Sequence, residues 1–242
     1  MGVDSAEAPK ANGFKTVLDT IIAPKEAFES LRTTPTWGWA FVITLILTAI
    51  GTFLMAPAFS HAFAAGWPEM VAKDPRLAQL SAADQQAALA RLQSFFGFSW
   101  SFVIISVPFG VLVQTLIFWI FNWIGKGEGT FGKYWAAACN ISVPAAGLGA
   151  IVFAIIILVR GVDSFDSIKA VQTASLSLAM LVPNAGVKLA AFLSAITPFS
   201  LWGAGLIIAA MLIIGRVPRV QAWLAGIISL LVPAVIAMAA AH

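Results

Sequence analysis

Five stretches of the chain contain no Lys, Arg, Asp or Glu: 33–68, 92–125, 134–159, 189–215 and 220–242. Each exceeds the roughly 20 residues that an α-helix needs to cross about 30 Å of hydrocarbon, and each is far too long for a buried strand. The pattern therefore predicts five membrane-spanning helices at about 37–58, 97–124, 134–159, 196–215 and 220–241. A sixth charge-free window, 170–187, sets Gln172, Thr173, Ser175, Ser177, Pro183 and Asn184 around the short apolar run LSLAMLV. It predicts an interfacial or re-entrant helix rather than a sixth span.

The flanking segments are polar but still periodic. In 14–36, FKTVLDTIIAPKEAFESLRT spaces Phe14, Val17, Leu18, Ile21 and Ile22 as one face of a helix, and Pro24 opens a second helix carrying Phe28 and Leu31. Such a pair should lie along the membrane surface. Between the first two spans, SAADQQAALARLQSFF predicts a helix over 82–96 that starts at a Ser81/Asp84 cap and runs into span two. Residues 1–13 carry no such pattern and are expected to be disordered.

Composition reinforces this reading. Hydrophobic residues make up 60% of the 242 and charged residues 10%, with mean hydropathy +0.92. A soluble domain holds roughly 45–50% apolar and about 25% charged residues. The fold class is all-α, a polytopic bundle. All nine Trp residues fall near proposed span ends or in flanking loops, where an indole sits half in lipid and half in water. The net charge of +3 is spread over short loops, which gives nucleic acid no patch to bind. The single cysteine, Cys139, excludes an internal disulfide.

Lys and Arg set the orientation. With the N-terminus inside, the inner segments carry Lys10, Lys15, Lys25, Arg32, Lys126, Lys133, Arg216 and Arg219. The longer outer segments carry Lys73, Arg76, Arg91, Arg160, Lys169 and Lys188. Eight inside against six outside, in shorter inner loops, predicts N-in/C-out. The lead before span one is too long and too mixed in charge for a cleaved signal, so span one is expected to stay.

Within GKGEGTFGKY, residues Gly127, Gly129 and Gly132 spell G-x-G-x-x-G. That fingerprint binds phosphates only where a strand turns into a helix. Here spans flank it on both sides, so no nucleotide is expected at Gly127–Gly132. The loop does end where span three begins, and free N–H groups at a helix start favour an anion. Lys126, Lys133, Arg216 and Arg219 are therefore candidate contacts to a lipid phosphate, although the inside preference for basic residues predicts them as well.

No Lys, Arg, Asp, Glu or His lies in the core of a proposed span, which argues against proton-coupled transport and intramembrane hydrolysis. His61 and His242 have no visible metal partners and read as loop or terminal residues. No catalytic residue, metal or cofactor is expected. A polar set remains in the spans: Gln114, Asn140 and Ser142. Counting from their shared loop puts Gln114 roughly 15 Å and Asn140 roughly 9 Å deep, so their amides could meet across spans two and three. They serve either as an interhelical hydrogen bond or as a polar path. Pro108, Pro144 and Pro233 predict kinks, either shaping the bundle or breaking helices around a binding site. Small pairs Ala145/Gly149, Gly205/Ala209 and Ala222/Gly226 allow close helix contact.

The order IIAPKEAFESLRTTPTWGWAFVI, GKGEGTFGKYWAAACNISVP, FSLWGAGLIIAAMLIIGRVPRVQAW resembles the Yip family of Ypt/Rab-interacting membrane proteins in its prokaryotic form, over roughly 14–240. The similar features are a proline-opened helix before span one, a glycine loop and aromatic before span three, a proline ten residues later, and a Trp-bearing span four ending in glycine. The resemblance implies five spans with a cytoplasmic N-terminus, in the bacterial inner membrane. Eukaryotic members are implicated in vesicle trafficking and contact prenylated GTPases, but this chain lacks their D-L-Y-G-P-type motif, and no GTPase-binding residue carries over. The expected role is non-enzymatic: organising the lipid bilayer, with anionic headgroups as candidate contacts, or a protein partner or second copy. The alternative is a carrier or channel for a lipid or small solute through kinked spans two, three and five.

Overall fold

The structure is a computed structural model that describes residues 12–241. Of the segment expected to be disordered, only 12 and 13 lie among the described residues. The Asn12 side chain accepts hydrogen bonds from the N–H groups of Phe14 and Lys15, at 3.1 and 3.2 Å, and caps α1 (Gly13–Ile22). Pro24 then opens α2 (Pro24–Thr33), its fixed φ already helical and its missing N–H one that a first turn leaves unbonded.

The expected single apolar face of α1 is divided between two surroundings. Thr16, Val17 and Thr20 turn into the protein, while Phe14, Leu18 and Ile22 face outward. On α2, Ala27, Phe28 and Leu31 are fully buried, and the helix packs on the third-span and fourth-span helices.

The first span belongs to α3 (Gly38–Lys73), an unbroken 36-residue helix that continues well past residue 58. Pro57 and Pro68 both lie within it. At about 54 Å it outruns the hydrocarbon thickness. The extension carries His61, so this residue is helical rather than in a loop; its Nδ1 lies 3.2 Å from the Phe165 carbonyl oxygen. His242 lies outside the described residues. After the short α4 (Pro75–Ala78), Ser81 caps α5 (Ala82–Phe98), which passes through a 3₁₀ turn at Ser99–Phe102 into α6 (Val103–Ile124).

Span three is α7 (Phe131–Ser142), a π-helical turn at Val143–Leu148, and α8 (Gly149–Arg160). Pro144 explains the turn: its ring removes one ladder bond and crowds the preceding carbonyl, and a wider turn relieves both. By contrast α6 continues through Pro108, and α12 (Arg219–Ala240) through Pro233.

Four helical runs are long and apolar enough to cross a membrane: Gly38–Lys73, Ala82–Ile124, Phe131–Arg160 and Arg219–Ala240. A bent pair, α10 (Val187–Ser194) and α11 (Pro198–Ile213), set at 54°, makes a fifth candidate if the two helices count as one span. α11 fills most of the stretch expected as a span at 196–215, but at 16 residues it is shorter than the roughly 20 that a full crossing needs. Pro198 cannot donate to a continuing helix, and Thr197 and Ser200 form a reciprocal capping box, so α11 starts afresh.

In place of one helix over 170–187 the chain forms α9 (Ile168–Ala174) and a 3₁₀ turn at Leu178–Leu181. Its irregular backbone is paired partly within the segment and partly with the break between α10 and α11: Ser177 N–H donates to the Ser175 carbonyl at 2.7 Å, and Leu178 N–H to the Ile196 carbonyl at 3.0 Å. Internal pairing of this kind is what apolar surroundings require.

The helices enclose two cores. The larger joins Val17, Phe28 and Leu31 to Phe118, Tyr134, Ala136, Ala137, Ala138, Cys139, Ile141, Met211 and Ile214. The smaller joins Ala58, Ala62, Ile157, Phe165, Val171 and Ala174 at the other end. Small residues set the crossings: a Cβ on Gly51 would lie 2.8 Å from the Ala150 backbone, and one on Gly226 would lie 3.0 Å from the Ala204 carbonyl oxygen. On α11 the contact residue is Gly203, which meets Ala145; Gly205, expected in that role, faces open space.

Candidate functional site

The larger core closes at the end of the bundle where α1 and α2, the 125–130 loop and the 214–218 turn come together. From residue 13 onward this end carries seven basic and four acidic side chains, and the other end six and five.

The loop and the turn are joined backbone to backbone. Glu128 N–H donates to the Gly215 carbonyl at 2.7 Å. Asn122, near the end of α6, organises the loop from beneath. Its Oδ1 accepts from Gly129 N–H at 3.1 Å and from the Tyr134 hydroxyl at 2.6 Å, and its Nδ2 donates to the Gly129 carbonyl at 3.2 Å. Tyr134 is wholly buried and packs on Phe118, with ring centroids 5.4 Å apart.

This arrangement accounts for two glycines of the fingerprint. A Cβ on Gly127 would collide with Asn122 Oδ1 and stand 2.6 Å from the Gly215 carbonyl oxygen; one on Gly129 would enter the Tyr134 ring. Gly132 borders open space. The glycines let two loops touch, and the loop joins helix to helix.

The four candidate phosphate contacts differ in state. Arg216 is engaged by Glu128, 3.3 Å between Nη1 and Oε2. Lys126, Lys133 and Arg219 form no ion pair among the described residues. Lys126 and Arg216 have φ of 51° and 49°, and are the only non-glycine residues described with positive φ.

The polar set in the spans does not converge. Gln114 Nε2 donates to Ser229 Oγ on α12 at 2.9 Å. Asn140, fully buried, donates from Nδ2 to the carbonyls of Thr36 at 2.9 Å and Ala136 at 2.8 Å. Ser142 donates to Ala138 in its own helix. The expected meeting of Gln114 and Asn140 fails because α6 turns Gln114 toward α12, while α7 turns Asn140 toward the start of α3. Thr36 also donates to the Thr16 hydroxyl at 3.3 Å, so Asn140 helps tie α1 to the bundle. Asn140 Oδ1 itself has no partner.

Several recesses open along the spans. A groove of about 380 Å³ between α6 and α12 includes Phe109, Gly110, Gln114, Ser229 and Pro233. A cavity of about 230 Å³ lies where the π-turn of span three faces the α10–α11 break, with Ala145, Gly149, Ser175, Ser194 and Thr197 in its wall.

Asn122, Tyr134, Glu128 and Thr36 were not singled out from the sequence. A signal existed for two of them: Tyr134 is the only tyrosine in the chain, and Asn122 is the one polar residue in LIFWIFNWI. Searches of curated proteins and of solved structures return no match. A family model described as the Yip1 domain, however, matches residues 18–241, from the first amphipathic helix to the end of the last span. The chain therefore belongs to the Yip family, and it is an integral membrane protein.

Proposed function

We propose that this chain is a non-enzymatic organiser of the bilayer or of partner membrane proteins, held N-in/C-out in a bacterial inner membrane with its basic end in the cytoplasm. The excess of basic side chains at that end supports the orientation, and the trafficking association of the family supports the role. One observation carries the reading. α1 is fixed to the bundle through Thr16, Val17 and Thr20, yet presents Phe14, Leu18 and Ile22, at four-residue spacing, outward; Ile22 is 78% exposed. An apolar ridge held rigidly at the head of the spans is a surface for lipid or for a partner helix.

The ridge gives a cleaner test than removing the N-terminus, because deleting 1–32 would also take Phe28 and Leu31 out of the core. Leu18→Glu with Ile22→Glu in purified protein, reconstituted into vesicles, should abolish vesicle tethering or remodelling while elution stays monodisperse. Retained activity would refute the reading.

The groove containing Gln114, Ser229 and Pro233 favours a second reading, a lipid carrier using spans two and five. In the same vesicles that reading predicts lipid scrambling that Gln114→Leu removes and the ridge variant leaves intact.

A further inference from the structure

Ile-Gly followed by a base stands at the ends of two helices: Ile124-Gly125-Lys126 closes α6, and Ile214-Gly215-Arg216 follows α11, one residue later relative to the helix end. A helix that ends in the left-handed conformation usually gives that position to glycine, which has no Cβ to clash. Here the order is inverted. Gly125 has an ordinary φ of −82°, and Lys126 takes the left-handed position at 51°. The closing bonds are those of such an end: Gly127 N–H to the Asn122 carbonyl at 2.8 Å and Lys126 N–H to the Trp123 carbonyl at 3.2 Å. Arg216 takes the left-handed position after α11.

Neither general rule for basic residues asks for this. The inside preference is met by a Lys anywhere in the loop, and the negative end of a helix by a cation anywhere in the last turn. The left-handed backbone at Lys126 does, however, decide where its charge is placed.

That place is a groove. Lys126, Gly127, Trp119, Asn122 and Trp123 wall a recess of about 590 Å³. Trp123 is 78% exposed and Trp119 50%, at the level where indoles meet headgroups. Lys126 forms no ion pair among the described residues, whereas the matching Arg216 is engaged by Glu128. A free cation at the rim above an aromatic wall complements a phosphodiester that carries acyl chains.

We infer that Lys126 and the Trp119–Trp123 groove form a site for the phosphate of an anionic glycerophospholipid. The inference rests on the proposed placement of the basic end at the headgroups, and it names the ligand there.

The test uses the full-length protein in detergent, with thermal stabilisation and native mass spectrometry reading the binding of phosphatidylglycerol, phosphatidylcholine or inorganic phosphate. Wild type should prefer phosphatidylglycerol to phosphatidylcholine at least tenfold. Lys126→Gly should lose that preference while its lipid-free Tm stays equal or rises, since strain is relieved. Lys126→Asn, which tolerates the left-handed conformation without charge, should behave alike, and decides the matter if the glycine variant does not fold. Lys126→Gly with Thr130→Lys restores the loop charge. Rescue by this variant would overturn a built site in favour of general attraction, and no rescue supports the site. Unchanged preference in Lys126→Asn, or equal stabilisation by inorganic phosphate, would overturn the inference. Failure here leaves the ridge untouched, because the vesicle test of Leu18 and Ile22 is read independently of lipid charge.

Discussion

The two ends of the bundle solve the same problem differently. At the basic end, α6 and α7 are joined by the six residues 125–130, and this loop is locked to the 214–218 turn. At the far end, α8 and α10 are joined through 161–186, a run of short helices and bends over the smaller core. The short loop cannot satisfy its own backbone, so it borrows Asn122 and Gly215. The long connection pairs its backbone largely within itself, with outside ties at Leu178, whose N–H reaches the Ile196 carbonyl, and at Phe165, whose carbonyl faces His61.

This contrast can be broken experimentally, and the largest effect should come from Gly129. Gly129→Leu would drive a side chain into the buried Tyr134 ring. A loss of about 3 kcal/mol or more is expected, seen as aggregation or a collapsed denaturation midpoint in detergent. A wild-type midpoint would mean that the basic end is not locked.

Asn122→Leu comes next, at about 2 kcal/mol, because it leaves the buried Tyr134 hydroxyl and the half-buried Gly129 N–H without their acceptor. Tyr134→Phe should cost about 1 kcal/mol, and the double variant less than the two together; strict additivity would show that the pair does not act as one unit.

The far end should be milder. Gly161→Ala, at φ 83°, is expected to cost about 1 kcal/mol or somewhat more, and Gly186→Ala, with open space around it, less than about 0.5 kcal/mol. If Gly186→Ala cost as much as Asn122→Leu, the two ends would be equally rigid and the comparison would fall.

Much of the fold was legible in the sequence, and for a local reason in each case. Charge-free runs mark spans because burying an unpaired charge in hydrocarbon is expensive. The boundary between α1 and α2 was readable from Pro24, and the start of α11 is explained by Thr197 and Pro198 together, although only the structure showed that the preceding residues form a separate bent helix. The candidate site was legible only in part. Lys126 and Arg216 could be named as basic loop residues, but their left-handed backbones and the pairing of Arg216 with Glu128 could not.

The sequence by itself determined the class, the apolar runs and the basic end, because those depend on how many charges a segment holds. Only the tertiary structure decided which face each helix turns inward. Inside a bilayer nearly every position is apolar, so the periodicity that separates core from surface in water is lost. Phe109 and Phe118 are the same residue type on α6, yet one is 64% exposed and the other 0%. For the same reason Gln114 met Ser229 and Asn140 met Thr36 rather than each other. Depth along a helix can be counted from the sequence; direction around it is set by the packing of neighbouring helices.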